Sequence, residues 1–310
     1  MKMNRRSALA LSAAALLARD ARPQAASEKS GGPAAGTVAA PRRTPMICAY
    51  SNNLIKIEYP ELGNIAQQIG YDGVDLTVMN GGHVNPQITN VDLVRAIESV
   101  RGPGLEVPLV STNITSSNDY TAYPILAITG HTQVHMYRTG YWPWGANPNV
   151  TARLAQVRND IVNLLSLGER STMMALIPNR AGFVGEAVWD MQTIIGDLNP
   201  QGVGYMFDIA HATAEGGAGG WERALRVTLP RLRAVSVQDF VWAKTDATWQ
   251  MQMCPLGEGM VDWEAFFLIL AQNRFTGPIS IHYEYQAKDE LAAMSKDLEF
   301  VRAHVRQYYR

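Results

Sequence analysis

Cysteine is almost absent from this 310-residue chain, which has only Cys48 and Cys254. That excludes a disulfide framework and a cysteine-rich zinc cluster, and leaves a single bridge or, the better reading, two buried thiols. Neither sign of charge is in excess, with 27 basic and 28 acidic residues, and no basic block follows Arg43. An electrostatic nucleic-acid footprint is therefore not expected. No Gly-x-Gly-x-x-Gly follows any strand-like segment, so no nucleotide cofactor is expected. No apolar run reaches the roughly 20 residues that a membrane-spanning helix needs, so integral membrane association is not expected.

The N-terminus carries a pattern of its own. Asn4-Arg5-Arg6-Ser7-Ala8-Leu9 places paired arginines ahead of a short apolar run from Ala8 to Ala18. A charged head, a short apolar middle and small residues downstream make an export leader, and the Arg-Arg pair with Leu9 resembles the twin-arginine type. Residues 1–30 are read as that signal peptide and 31–44, rich in Ala, Gly and Pro, as a linker. The expected localisation is periplasmic or secreted. The leader holds six basic and two acidic residues, so its removal tips the mature chain toward acid.

From residue 45 onward, short apolar β-prone runs alternate with amphipathic segments. Strands are expected at 45–50, 73–78, 107–112, 132–137, 172–178, 203–208, 234–239 and 278–283. Helices are expected at 60–69, 90–100, 120–129, 150–167, 186–198, 220–229, 262–272 and 287–308. Eight strands alternating with helices count out a single-domain (β/α)8 barrel over 45–310, with an open doubly wound sheet as the alternative. In such a barrel, strand C-termini and the loops after them form one mouth. The segment 203–217 is the most informative, because an apolar strand ends in Asp208 and His211 follows. Alone, Asp-x-x-His reads equally as a helix cap and a buried histidine, but polar tips recur along the chain. They include Asn53, His83, Asn113, His135 with Arg138, Asn179 with Arg180, Gln238 with Asp239, and His282 with Glu284. Period-two alternation puts Ser280, His282 and Glu284 on one face of the last strand. With the aromatic loop Tyr141-Trp142-Pro143-Trp144, the mouth suits a carbohydrate, whose faces stack on rings and whose hydroxyls meet amides, carboxylates and imidazoles. Expected substrate-binding residues are Asn179, His135, Trp142, Trp144, Asp239 and Trp242. Catalytic candidates are Glu284, Glu258, His211 and Arg180. Asp208, His211, His282 and Glu284 have the donor chemistry for one divalent ion, Mn, Zn or Fe.

Four segments carry a resemblance: Gly70-Tyr71-Asp72-Gly73-Val74-Asp75, Phe207-Asp208-Ile209-Ala210-His211, Pro255-Leu256-Gly257-Glu258-Gly259 and Gly277-Pro278-Ile279-Ser280-Ile281. In this order and spacing they resemble the xylose isomerase-like TIM-barrel family. That superfamily includes sugar and sugar-phosphate isomerases and epimerases, and endonucleases. The resemblance implies a metal site built from a Glu ending strand five, an Asp ending strand six, a His on strand seven and a Glu on strand eight. Carried onto this chain, these positions hold Pro178, Asp208, Ser236 and His282, with Glu284 one pleat beyond His282. Only Asp208 matches. A secreted sugar-processing branch of the family has His after Asn179, where this chain has Arg180. The functional expectation is an exported sugar isomerase, epimerase or related lyase that abstracts a proton next to a carbonyl, with the enolate held by a metal or by Arg180. A sugar-binding barrel without catalysis is the alternative. A phosphodiester-cleaving endonuclease is the remote one, since it needs a multi-metal cluster and a basic surface.

Overall fold

The computed structural model describes residues 44–146 and 149–310. The expected leader, and all of the expected linker except Thr44, lie outside the described residues. The strands are β1 (Ile47–Tyr50), β2 (Gly73–Val78), β3 (Val110–Thr112), β4 (Met136–Arg138), β5 (Met174–Pro178), β6 (Val203–Asp208), β7 (Leu232–Val237), β8 (Asp239–Thr245), β9 (Thr248–Cys254) and β10 (Ile279–Ile281). The helices are α1 (Tyr59–Ile69), α2 (Thr89–Arg101), α3 (Ala122–His131), α4 (Val150–Ser171), α5 (Val188–Ile195), α6 (Ile209–Thr228), α7 (Trp263–Gln272) and α8 (Glu290–Tyr308). All strands except β8 and β9 join a closed parallel barrel in the order β1-β10-β7-β6-β5-β4-β3-β2. Because β1 pairs with both β2 and β10, the sheet has no edge and the open doubly wound alternative is excluded. No described helix is long and apolar enough to cross a membrane.

The sequence motifs act as joints. α1 ends on Gly70 in the left-handed conformation at φ 109°, where a Cβ would be strained. The chain can then turn through Asp72, whose Oδ2 accepts the Ile47 N–H at 2.8 Å and ties the start of β2 to β1. Helices wrap the outside, and their apolar faces pack on β1 and β2, which are buried along their whole length.

Inside the barrel a smaller apolar layer consists of Leu109, Leu176, Met206 and Ala234, with Met136 and Met174 below. Two residues further along each chain, the same inward direction carries Ser111, Pro178, Asp208, Ser236 and, from Met136, Arg138. The interior therefore changes from apolar to polar within one pleat.

Three expected boundaries are corrected. β4 begins at Met136, because Gln133 adopts a left-handed φ of 65° in the turn after α3 and delays extended structure. The strand expected at 234–239 ends at Val237, and an unforeseen hairpin, β8–β9, follows it. Its tip is Asp246-Ala247, with Asp246 at φ 52°, a turn without the Gly or Pro that usually announces one. Finally, α6 starts directly at Ile209, capped by the Asp208 carboxylate, and is interrupted at Gly217–Gly219 before continuing to Thr228.

Candidate active site

The mouth is built around two carboxylates in the polar layer. On β2, Asp75 is fully buried and accepts the Ser111 hydroxyl at 2.7 Å and the Ser280 hydroxyl at 2.8 Å. Ser111 in turn accepts the Arg138 Nε–H at 3.0 Å, so it bridges the guanidinium to Asp75. Burial raises the Asp75 pKa, and the two serines and Arg138 oppose that rise. Asp208, the last residue of β6, caps α6: its Oδ1 accepts the His211 N–H at 2.9 Å. Its Oδ2 accepts the Ser236 hydroxyl and the Gln238 amide, each at 2.8 Å. Asn179 spends both ends of its amide on the Asp208 main chain, donating to its carbonyl at 2.9 Å and accepting its N–H at 2.8 Å. This locks the tips of β5 and β6 together.

Over this floor lie two cations sharing one ring. The guanidinium carbons of Arg138 and Arg180 each sit 5.1 Å from the centre of the Tyr141 ring. The loops that present them are pinned behind. The Trp142 indole donates to the Thr115 carbonyl at 3.1 Å, the Trp144 indole donates to Glu186 at 3.1 Å, and Pro143 bridges to Phe183. Burial works against the Arg180 charge, but Tyr141 and the fields of Glu284 and Asp208 more than restore it, and its pKa stands above the usual arginine value.

His211 and His282 complete the mouth. They are only 7% and 6% exposed, yet both ring nitrogens of His211 and Nε2 of His282 lack a hydrogen-bond partner among the described residues. His282 stacks on Tyr50, with ring centres 4.0 Å apart. Burial, followed by the charges of Arg138, His211 and Arg180, holds the His282 pKa well below the usual histidine value, so this imidazole is neutral at physiological pH. A buried unpaired polar atom costs free energy, and four such atoms, counting Gln238 Oε1, gather at this mouth as groups able to bind a polar ligand.

The structure brings together Asp208, His211, His282, Asn179 and Arg180 as the sequence predicted, and sends others elsewhere. His135 precedes β4 rather than ending it. It is exposed at the opposite end of the barrel and bonds the Thr172 carbonyl at 3.2 Å. Glu258 is exposed on the loop before α7 and pairs with Lys296 of α8 at 2.8 Å. Asp239 is buried, with its carboxylate filled by five N–H donors, those of Phe240, Gly257, Gly259, Val261 and the Trp263 indole. It is the clamp that shapes the Pro255–Gly259 motif. Trp142 is buried behind the mouth, Trp144 is half-buried against Glu186, and Trp242 stands 42% exposed on the hairpin with its ring edge-on to Phe240. Glu284 is exposed at the rim, where it borders a 570 Å³ cavity with Tyr285, Cys254 and Lys296. Sequence reasoning placed Tyr141 and Gln238 at the mouth without giving either a role, and it passed over Tyr50 and, as a mouth residue, Asp75. The inward alternation from Gly73 to Asp75 was the available signal for the latter.

The sequence profile described as Xylose isomerase-like TIM barrel matches residues 64–304. The chain belongs to that family. No curated protein sequence matches it. Among solved structures, this family member is similar to 3-keto-D-glucoside 4-epimerase, YcjR, from E. coli, with 14% identity over 84% of this chain and 99% of that one, at a TM-score of 0.67. It is similar to an L-ribulose 3-epimerase, with 13% identity over 85% of this chain and 95% of that one, at a TM-score of 0.67. A xylose isomerase-like TIM-barrel protein from Mycobacterium smegmatis in complex with magnesium matches with 12% identity over 86% of this chain and 98% of that one, at a TM-score of 0.66. At such identities the likeness is one of fold.

The family's divalent ion does not fit the residues this member presents. Among the described residues no three His, Cys, Asp or Glu side chains converge as a ligand set. Asp208 already has both oxygens engaged by three donors. Glu284 lies outward on the rim, and two guanidiniums flank the imidazoles with charge that repels a cation. The set expected from sequence, Asp208, His211, His282 and Glu284, is therefore a hydrogen-bonding group and not a coordination sphere.

Proposed function

We propose that this protein acts on a small carbohydrate as an isomerase or epimerase, moving a proton at a carbon next to a carbonyl. One observation carries the reading: nine-tenths-buried imidazoles with free nitrogens stand in the electrostatic reach of Arg180 at the C-terminal mouth of the barrel. His211 takes the proton from the carbon, and the C–H electron pair moves through the carbon–carbon bond onto the carbonyl oxygen. Arg180 donates to the resulting enolate oxygen and supplies the charge that a metal supplies elsewhere. Return of that proton by His211 to the neighbouring carbon isomerises the sugar, whereas a proton delivered from solvent to the opposite face of the same carbon inverts it, with the His211 proton then released to solvent. His282, kept neutral, orients a hydroxyl through Nε2. Asp208 fixes the main chain of His211 and does not enter the proton path.

The test is exchange of the carbon-bound proton with deuterated solvent, followed by NMR over a panel of keto-sugars. His211→Gln and Arg180→Met should each lower the exchange rate by about a hundredfold or more while the fold is retained. Wild-type exchange rates in both variants would refute the assignment. A non-catalytic sugar-binding barrel is the second reading, favoured by Pro178 and Ser236 at the family's ligand positions and by the saturated Asp208. It predicts sugar binding without exchange. Export is part of the proposal, on the strength of Asn4–Leu9 and the apolar run behind it.

A further inference from the structure

Arg180 differs from the other arginines in how it is satisfied. Among the described residues, the other half-buried arginines, Arg101, Arg153, Arg158, Arg231, Arg233 and Arg302, each donate to a carboxylate or a main-chain carbonyl. Buried Arg138 donates to Ser111 and the Thr139 carbonyl. Among the described residues Arg180 has neither kind of partner; its guanidinium lies by the Tyr141 ring and hydrogen-bonds that tyrosine's side chain. A single phenol partner leaves most of the guanidinium edge open, and that edge is a planar fork of N–H donors matched to a planar carboxylate. Within the same mouth lie the unpartnered nitrogens of His211 and His282 and the free Oε1 of Gln238, suited to hydroxyl groups. A cation with an open fork beside unfilled hydroxyl partners describes a ligand that bears both an acid group and hydroxyls.

The charges nearby limit that acid to a single negative charge. Asp208 and Glu284 both act on Arg180, so a dianion would meet two carboxylates for one free cation. The N-terminus of α6, where a phosphate would otherwise be cradled, is already occupied by the Asp208 carboxylate.

We infer that the substrate is an oxidised sugar, a uronic or keto-sugar acid, whose carboxylate shares the open N–H edge of Arg180 with the carbonyl oxygen while its hydroxyls reach His282 and Gln238. This rests on the reading of the mouth as a carbohydrate site.

Calorimetric titration of the purified full chain tests it, with D-glucuronate, D-galacturonate and 5-keto-D-gluconate against D-glucose, D-galactose and D-fructose, and with D-glucose 6-phosphate as the dianionic arm. The expected result is that at least one sugar acid binds about tenfold or more tightly than its neutral counterpart and than the phosphate, with affinity falling as salt is added. Arg180→Met should abolish the preference and Arg180→Lys should keep part of it, since lysine restores the charge without the fork. Unchanged circular dichroism and melting temperature of both variants exclude misfolding as the cause. Equal or tighter binding of the neutral sugars or of the phosphate overturns the inference, as does a preference that survives Arg180→Met. The two readings fail separately. Neutral sugars that bind and exchange their proton keep the proposed function and sink the sugar-acid inference. Sugar acids that bind through Arg180 without exchange keep the inference and sink the catalysis. Absence of binding by every probe overturns both.

Discussion

Asp239 separates a structural from a ligand-binding carboxylate in a single substitution. Its Oδ1 accepts the N–H groups of Phe240 at 2.9 Å and Val261 at 3.2 Å. Its Oδ2 accepts Gly257 at 3.0 Å, Gly259 at 3.1 Å and the Trp263 indole at 2.9 Å. Asp239→Asn keeps the shape but turns one oxygen into an NH2 group. In its better orientation the new amide faces the two Oδ1 donors and leaves them buried without an acceptor, at about 1–3 kcal/mol each. The other three bonds weaken from charged to neutral acceptor, a further loss of some tenths of a kcal/mol to about 1 kcal/mol each. A destabilisation of about 4 kcal/mol follows, or a fall in Tm of about 8–16 °C for a domain of this size. Thermal and urea unfolding followed by tryptophan fluorescence measure it, and Trp263 reports from inside the clamp. Gly259→Ala should behave alike, because a Cβ there would stand 2.1 Å from Asp239 Oδ1. A Tm for Asp239→Asn within about 2 °C of wild type, combined with lost sugar affinity, would refute the clamp and return Asp239 to the binding residues.

His282 titrates well below its unfolded value of 6.5, so its contribution to stability is present above pH 6.5 and is lost as pH falls through the folded pKa. The urea midpoint of the wild type should drop more between pH 7.5 and about 5 than that of His282→Gln; parallel pH profiles would count against a buried neutral imidazole. Asp297 shows the opposite sign: burial lifts its pKa from 3.8 to about 6, so the stability it contributes in acid is lost as pH rises through that value. Asp297→Asn should therefore gain stability relative to wild type on going from pH 4 to pH 8, read as a difference in Tm. For the leader, replacing Arg5 and Arg6 together with lysine should hold the protein in the cytoplasm, and an unchanged periplasmic yield in cell fractions would defeat the twin-arginine reading.

Much of the fold was legible because burial on both faces leaves a distinct pattern. Stretches such as 73–78 and 203–208 are apolar, short and bounded by turn residues, and both strands are observed with those bounds. The hairpin was not legible, since Trp242 to Gln250 alternates apolar and polar only loosely and turns on Asp246-Ala247. His135 was misplaced by a boundary error of four residues at the start of β4, which is enough to exchange one end of a barrel for the other.

Residue types and spacing thus determined by themselves that the chain makes a (β/α)8 barrel, and that Asp208, Arg180 and His282 stand at strand tips. The reason is that strand periodicity and strand ends are local properties. What each tip does was decided only by closure of the barrel, which sets side chains from distant strands within hydrogen-bond range. Closure gives Asp208 the donors of Ser236 and Gln238, Asp239 the loop at 257–263, and Asp75 the hydroxyl of Ser280. Carboxylates that looked alike in sequence became a helix cap, a clamp and a buried counter-charge, while among the described residues Arg180 meets Tyr141 and neither a paired carboxylate nor a main-chain carbonyl. Which polar groups are spent and which remain free depends on contacts across the barrel, and no local pattern encodes those.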